Sequence, residues 1–264
     1  MQVKLGGIDY NYEITGPEGA PWITFSHALA NNLTLWDDVT NSLKDRFRIL
    51  RFDHPGHGKS SAVPGPYSFD MLIENAIGLL DELEIGTTHW VGLSIGGMMG
   101  YGLAARHPDR LSSLVACDSR PDASPDYVDY FQYRIDTANE KGMEGLVEPT
   151  IERWFTPESV ASNPPVLDKV RAMIRSTDPV GHAGCCEALK QLSFGSVLGN
   201  IEVPTLVLGG ANDKGAPPDV LAAAAQKIPG AQHAIIPKAG HISALENPDA
   251  FLEVLEAFLA EIDG

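Results

Sequence analysis

The chain has 264 residues, 44% hydrophobic and 20% charged, the proportions of a globular protein with room for one large α/β domain or a core plus an insertion. Its net charge of −16 leaves no cationic footprint for nucleic acid or an anionic membrane. No apolar run of about 18 residues, no leader pattern and three cysteines without C-x-x-C spacing point to a cytoplasmic protein lacking a membrane span, a disulfide framework and a metal site.

In chain order, Val3–Leu5 and Tyr10–Ile14 flank Gly6-Gly7 and read as an opening hairpin. Trp22–Phe25 is an apolar run ending at Ser26, a candidate central strand. The loop Ser26–Asn32 follows, and Trp36 opens a helix. Phe47–Phe52 is the next strand, and the glycine-punctuated stretch Asp53–Ser60 is a turn. Its two histidines, His54 and His57, read as structural or surface groups rather than bases. Ser68 caps a helix whose Leu72, Ala76, Leu79, Leu80 and Leu83 recur on one face.

Thr88–Val91 reads as a buried strand and Met98–Arg106 as a helix. Between them Gly92-Leu93-Ser94-Ile95-Gly96 matches G-x-S-x-G. A strand that reverses sharply into a helix strains the central serine and leaves no room for side chains two positions either side. Ser94 is therefore the candidate nucleophile. The Ile95 N–H and the N-terminus of the helix face a developing negative charge. A second backbone donor is expected from the loop after the Trp22–Phe25 strand, from Leu29 with Ala28 as its nearest rival.

Leu111–Cys117 is another apolar strand, so alternation of strand and helix predicts parallel strands joined by right-handed crossovers. That rhythm stops at Asp118 and resumes at Pro204–Gly209. A core of residues 1–119 and 197–264 with a helical cap over 120–196 is the simplest account, the cap lying over the strands' carboxyl ends where such sheets bind ligands. Its aromatics, Tyr127, Tyr130, Phe131, Tyr133, Trp154 and Phe155, are expected mostly to form the cap's own small core.

Asp213 follows the strand that ends at Gly209, and His241 follows the last strand, Ala231–Ile236. The C-terminal helix begins at Asn247-Pro248 and carries one apolar stripe from Phe251 to Ile262. Ser94, Asp213 and His241 thus occur in the order nucleophile, acid, base, each in a loop after a strand. The chemistry requires these types: an imidazole to take the serine proton, and a carboxylate to fix its tautomer. Asp118, which also ends a strand, competes for the acid. His89, His107, His182 and His233 are less well placed than His241, the first and last lying within strands.

With these motifs in hand, the chain resembles the α/β-hydrolase superfamily and, more narrowly, the 3-oxoadipate enol-lactonases, nearly end to end. The resemblance rests on Asp53 with Gly56-His57-Gly58-Lys59-Ser60, on Gly92–Gly97 and on Ala239-Gly240-His241. In the cap it rests on Arg134-Ile135, Gly142-Met143, Arg153–Pro157 and Gly181–Cys186. It implies an α/β-hydrolase fold, mostly parallel sheet flanked by helices. It also implies cofactor-free hydrolysis of a small lactone or ester through an acyl-enzyme on Ser94. A substrate carboxylate would meet Arg134 or Arg153, with Trp154 on the ring, and His27, Ala28 and His182 would also border it. Three departures from the family pattern, Ser26–Leu29, His54-Pro55 and His182, border the expected pocket. They leave a carboxylesterase or a slowly hydrolysing ligand receptor as rival readings.

Overall fold

The computed structural model describes residues 1–263. A single eight-stranded sheet runs in the order β1-β2-β4-β3-β5-β6-β7-β8. The hairpin β1 (Gln2–Leu5) and β2 (Ile8–Thr15) turns at Gly6-Gly7, where both glycines have positive φ. From β3 (Trp22–Ser26) onward the strands are parallel: β4 (Arg48–Phe52), β5 (Thr88–Leu93), β6 (Leu111–Cys117), β7 (Thr205–Gly210) and β8 (Gln232–Ile236). Only β2 runs the other way, pairing antiparallel with both β1 and β4. Strands β5 and β7 are buried along their whole length, as strands covered on both faces must be.

Helices flank the sheet. α1 (Asp37–Leu43) starts one residue after Trp36, which instead ends a 3-10 turn, Leu33–Trp36, whose N-terminus is capped by Asn32 Oδ1 accepting the Thr34 N–H. α2 (Phe69–Glu82) is capped by Ser68, whose Oγ accepts the Met71 N–H at 3.2 Å. α3 (Ile95–Arg106) begins at the residue after Ser94 and packs on β5 and β6. Gly100 lets it approach, since a Cβ there would lie 2.5 Å from Leu114 and 3.0 Å from Trp90.

Between β6 and β7 the chain is helical: α4 (Pro125–Lys141), α5 (Val147–Trp154), α6 (Pro157–Ser162), α7 (Pro165–Ser176) and α8 (Pro179–Lys190). The neck of this segment is closed by backbone bonds from Ala123 N–H to Leu192 O and from Phe194 N–H to Pro121 O. α4 and α8 pack side by side. α8 rests on the loops 54–67 through glycines one turn apart. A Cβ on Gly181 would lie 2.5 Å from the Gly56 Cα, and one on Gly65 would lie 3.1 Å from the Gly184 Cα. The chain ends with α9 (Pro218–Lys227), α10 (Ser243–Glu246) and α11 (Pro248–Asp263), α11 packing on α1. Among the described residues no helix is long and apolar enough to cross a membrane.

Candidate active site

Strand β5 enters the turn at Ser94 with φ 54° and ψ −117°, a left-handed conformation that a non-glycine residue holds only when its surroundings enforce it. They do. A Cβ at Gly92 would lie 2.2 Å from the Gly96 carbonyl, and one at Gly96 would lie 2.4 Å from the Ser26 carbonyl oxygen. The Ser94 N–H donates to Cys117 O, the Ser119 hydroxyl donates to Ser94 O, and the buried Trp90 Nε1–H donates to Gly96 O at 2.9 Å. The glycine spacing seen in the sequence is thus a steric requirement, and the strand before it and helix after it are both longer than periodicity alone suggested.

The loops after β7 and β8 bring Asp213 and His241 to this serine. His241 Nε2 lies 2.9 Å from Ser94 Oγ, and His241 Nδ1 lies 2.8 Å from Asp213 Oδ2. The other carboxylate oxygen accepts the Gly215 N–H at 2.6 Å. Burial works against charge on Asp213, but His241 and the backbone donors outweigh it and hold the carboxyl below its ordinary value. His241 is likewise penalised by burial, yet the Asp213 charge and hydrogen bond raise it above 6.5. The ionised carboxylate can only accept, so Nδ1 carries the proton and Nε2 accepts from the serine hydroxyl. This is an arrangement that can remove the Ser94 proton and return it to a leaving group.

Asp118 is fully buried and does not bond to His241. Its Oδ1 accepts the Gly210 N–H at 2.8 Å and its Oδ2 accepts the Ser243 hydroxyl at 2.6 Å. Burial, then the nearby Asp213 charge, pushes it up to about 8. It ties the end of β7 to the histidine loop.

Among the described residues, neither the Leu29 nor the Ile95 N–H donates a hydrogen bond. Ile95 is buried, and Leu29 lines a narrow cavity at the serine together with Met98, Tyr127, Phe131, Trp154 and Gly215. Two arginines, Arg134 and Arg153, line the same cavity and both pack on Tyr130, their guanidinium carbons 5.6 and 4.2 Å from its ring centre. Arg134 is only 2% exposed, and its side-chain partners are all neutral: Tyr130 Oη and Thr150 Oγ1 at 2.9 Å and His182 Nε2 at 3.3–3.4 Å. A guanidinium this buried with no carboxylate beside it calls for an anion.

Three residues expected at the substrate stand elsewhere. His27 and Ala28 are fully buried outside the cavity lining. His27 Nε2 accepts the His54 N–H at 2.9 Å, and its ring lies edge-on to that of His54, 4.3 Å away, so the pair braces two core loops against each other. His182 sits behind Arg134 rather than in the cavity. Burial, and then the Arg134 charge, hold it well below its ordinary value, so the neutral ring offers Nε2 as an acceptor. His54 also lies off the cavity, so of the three departures from the family pattern only the first reaches the lining, through Leu29. The aromatics reverse the expectation in the other direction: Tyr127, Tyr130, Phe131 and Trp154 line the cavity instead of a core of their own, and Tyr133 is half exposed.

Residues 21–248 match the alpha/beta hydrolase fold model. The chain belongs to the alpha/beta hydrolase fold family. It is 31% identical to 3-oxoadipate enol-lactonase 2 of Acinetobacter baylyi over 94% of this chain and 92% of that one. Its fold superimposes with a TM-score of 0.94 on the enol-lactonase from Burkholderia xenovorans, at 35% identity, over 98% of this chain and all of the other. A thermophilic esterase from Thermogutta terrifontis, solved with malate bound, matches with a TM-score of 0.92 and 28% identity over 99% of both chains. The chain is a hydrolase enzyme.

Proposed function

We propose that this hydrolase opens a small lactone bearing a carboxylate, of the 3-oxoadipate enol-lactone type, through an acyl-enzyme on Ser94. The observation that carries the reading is one cavity lined both by Ser94 and His241, the latter bonded to Asp213 behind it, and by Arg134, buried without a carboxylate partner. The enol-lactonase relatives support the substrate class.

In this reading Arg134 receives the substrate carboxylate and Trp154 packs on the ring. Ser94 Oγ attacks the lactone carbonyl carbon while His241 Nε2 takes the hydroxyl proton. The oxyanion forms between the Leu29 and Ile95 N–H groups, whose freedom from other acceptors leaves them available to it. Collapse breaks the ring C–O bond, and the His241 proton passes to the departing oxygen. Water, deprotonated by His241, then cleaves the acyl-enzyme and releases the acid. The helical segment 120–196 acts as a cap that excludes water from the first step. Three free, buried cysteines suit a reducing cytoplasm.

A small open-chain carboxylic ester is the second reading, favoured by the esterase relative. The test is kcat/KM on 3-oxoadipate enol-lactone beside a short neutral ester, with Ser94→Ala as control. Lactone preference lost in the variant supports the proposal. Ester turnover without lactone turnover selects the second reading, and full turnover by Ser94→Ala discards both. Turnover far below about 1 per second on every substrate would turn attention to a ligand receptor.

A further inference from the structure

The base and the cavity wall meet at a carboxylate that neither the triad nor the anion site uses. Glu246, on α10, lies five residues after His241. Its Oε1 accepts both the N–H and the hydroxyl of Thr156, at 2.8 and 2.6 Å, and its Oε2 accepts the Gly240 N–H at 2.7 Å. Beside this bridge the His241 N–H donates directly to Trp154 O at 2.7 Å. The two backbone segments touch: a Cβ at Gly240 would lie 2.3 Å from that same Trp154 oxygen. Residues 154–156 and 240–241 are therefore joined by one direct hydrogen bond and one carboxylate bridge.

We infer that Glu246 is a positioning residue that fixes the histidine loop to the wall of the substrate cavity, so that the base and the wall residues Arg153 and Trp154 keep one register. The inference rests on the Ser94–His241 reading above. Its geometry gives it two consequences. The Trp154 ring lies 5.9 Å from the His241 ring, so a shift of either segment moves both the proton acceptor and the surface on which substrate rests. In addition, all three groups facing Glu246 are donors, so the site demands an acceptor on each oxygen. A glutamine there must set its NH₂ against either the Gly240 N–H or the Thr156 N–H, and the clasp opens on one side while the side-chain volume stays the same.

The test is steady-state hydrolysis by Glu246→Gln, expressed per active site after titration to completion with a serine-reactive phosphonate. A displaced base lowers turnover per titrated site by about 10- to 100-fold, the scale of a 1 Å misplacement. The preference for anionic over neutral substrates falls as well, because Arg153 and Trp154 move with the loop. Thr156→Val, which keeps the Thr156 N–H but removes the hydroxyl that both donates to Glu246 and caps α6 by accepting the Ser159 N–H, gives a smaller loss in the same direction, and Thr156→Ser, which restores both bonds, restores turnover. Thr156→Val also decides the matter if Glu246→Gln does not fold. The inference is overturned if turnover per titrated site and substrate preference stay at the parent values, whether or not the active fraction drops. Ser94→Ala run alongside separates the two claims: residual turnover there sinks the nucleophile, whereas a normal Glu246→Gln with a dead Ser94→Ala sinks only the clasp.

Discussion

Arg134→Gln measures how much of the substrate's recognition is ionic. The native guanidinium is buried among neutral acceptors, with Tyr130, Thr150 and His182 as its side-chain partners, so its whole charge is available to a ligand. A carboxylate about 4 Å away at an effective dielectric near 20 is attracted by about 4 kcal/mol. Stripping water from the incoming carboxylate offsets part of this, leaving about 2–3 kcal/mol. Arg134→Gln should therefore lower kcat/KM for a carboxylate-bearing lactone by about 30- to 150-fold, while the same lactone with its carboxylate methylated changes little. Thr150→Asp offers an independent route to the same end. It sets a carboxylate where the Thr150 hydroxyl lies 2.9 Å from the guanidinium, and so satisfies the charge from within. It should abolish the anionic preference with the arginine still present. The assay is the ratio of the two kcat/KM values in each variant. If Arg134→Gln leaves that ratio unchanged, Arg134 does not read the carboxylate, and Arg153 becomes the residue to test.

Three further outcomes are expected. Asp213→Asn should lower kcat by about 10⁴-fold, whereas Asp118→Asn should stay within a few-fold, because asparagine tolerates the φ of 50° there and mimics a protonated acid. Steady-state rates of the pair check this, and equal damage would move the acid role to Asp118. The raised Asp118 also costs stability as pH climbs from its unfolded value toward about 8, since the unfolded chain gives up a proton that the fold retains. Thermal melts of Asp118→Asn between pH 5 and 8 should be flatter than those of the parent. At the acid end, burial lowers His54 to about 3 and His57 to about 4. Below about 6.5 the unfolded chain gains protons that the fold refuses, so stability falls from there down to about 4 and then 3, by at most about 1.4 kcal/mol per unit for each histidine. Melting against pH reads the slope, and His57→Gln should shallow it.

The turn at Ser94 was legible because it requires both glycines whatever they face: Gly92 answers to a clash with Gly96, four residues on, and Gly96 to the Ser26 carbonyl on the neighbouring strand. Asp213 and His241 were legible through their order and their positions after strands, which topology alone imposes. Other features depend on partners far away in sequence. His27 looks like a pocket residue until the His54 backbone claims its ring nitrogen. The aromatics of α4 and α5 cannot be assigned to core or cavity until they are seen to line the same cavity as Ser94. Glu246 carries no signal at all, since the Thr156 donors it accepts lie 90 residues away and its helix has only four residues.

The glycine contacts under α8 set a limit on how this enzyme can change. Gly181 against Gly56 and Gly184 against Gly65 bring main chain to main chain, where there are no rotamers to absorb a displacement. Main chain against main chain resists sliding at that edge, so accommodation of a new substrate falls to the side chains that line the cavity. A mutational screen for altered substrate range should accordingly recover changes at Met98, Tyr127, Phe131 and Arg153 and almost none at 56 or 181. The scaffold holds the backbone around the cavity and leaves its side chains to variation.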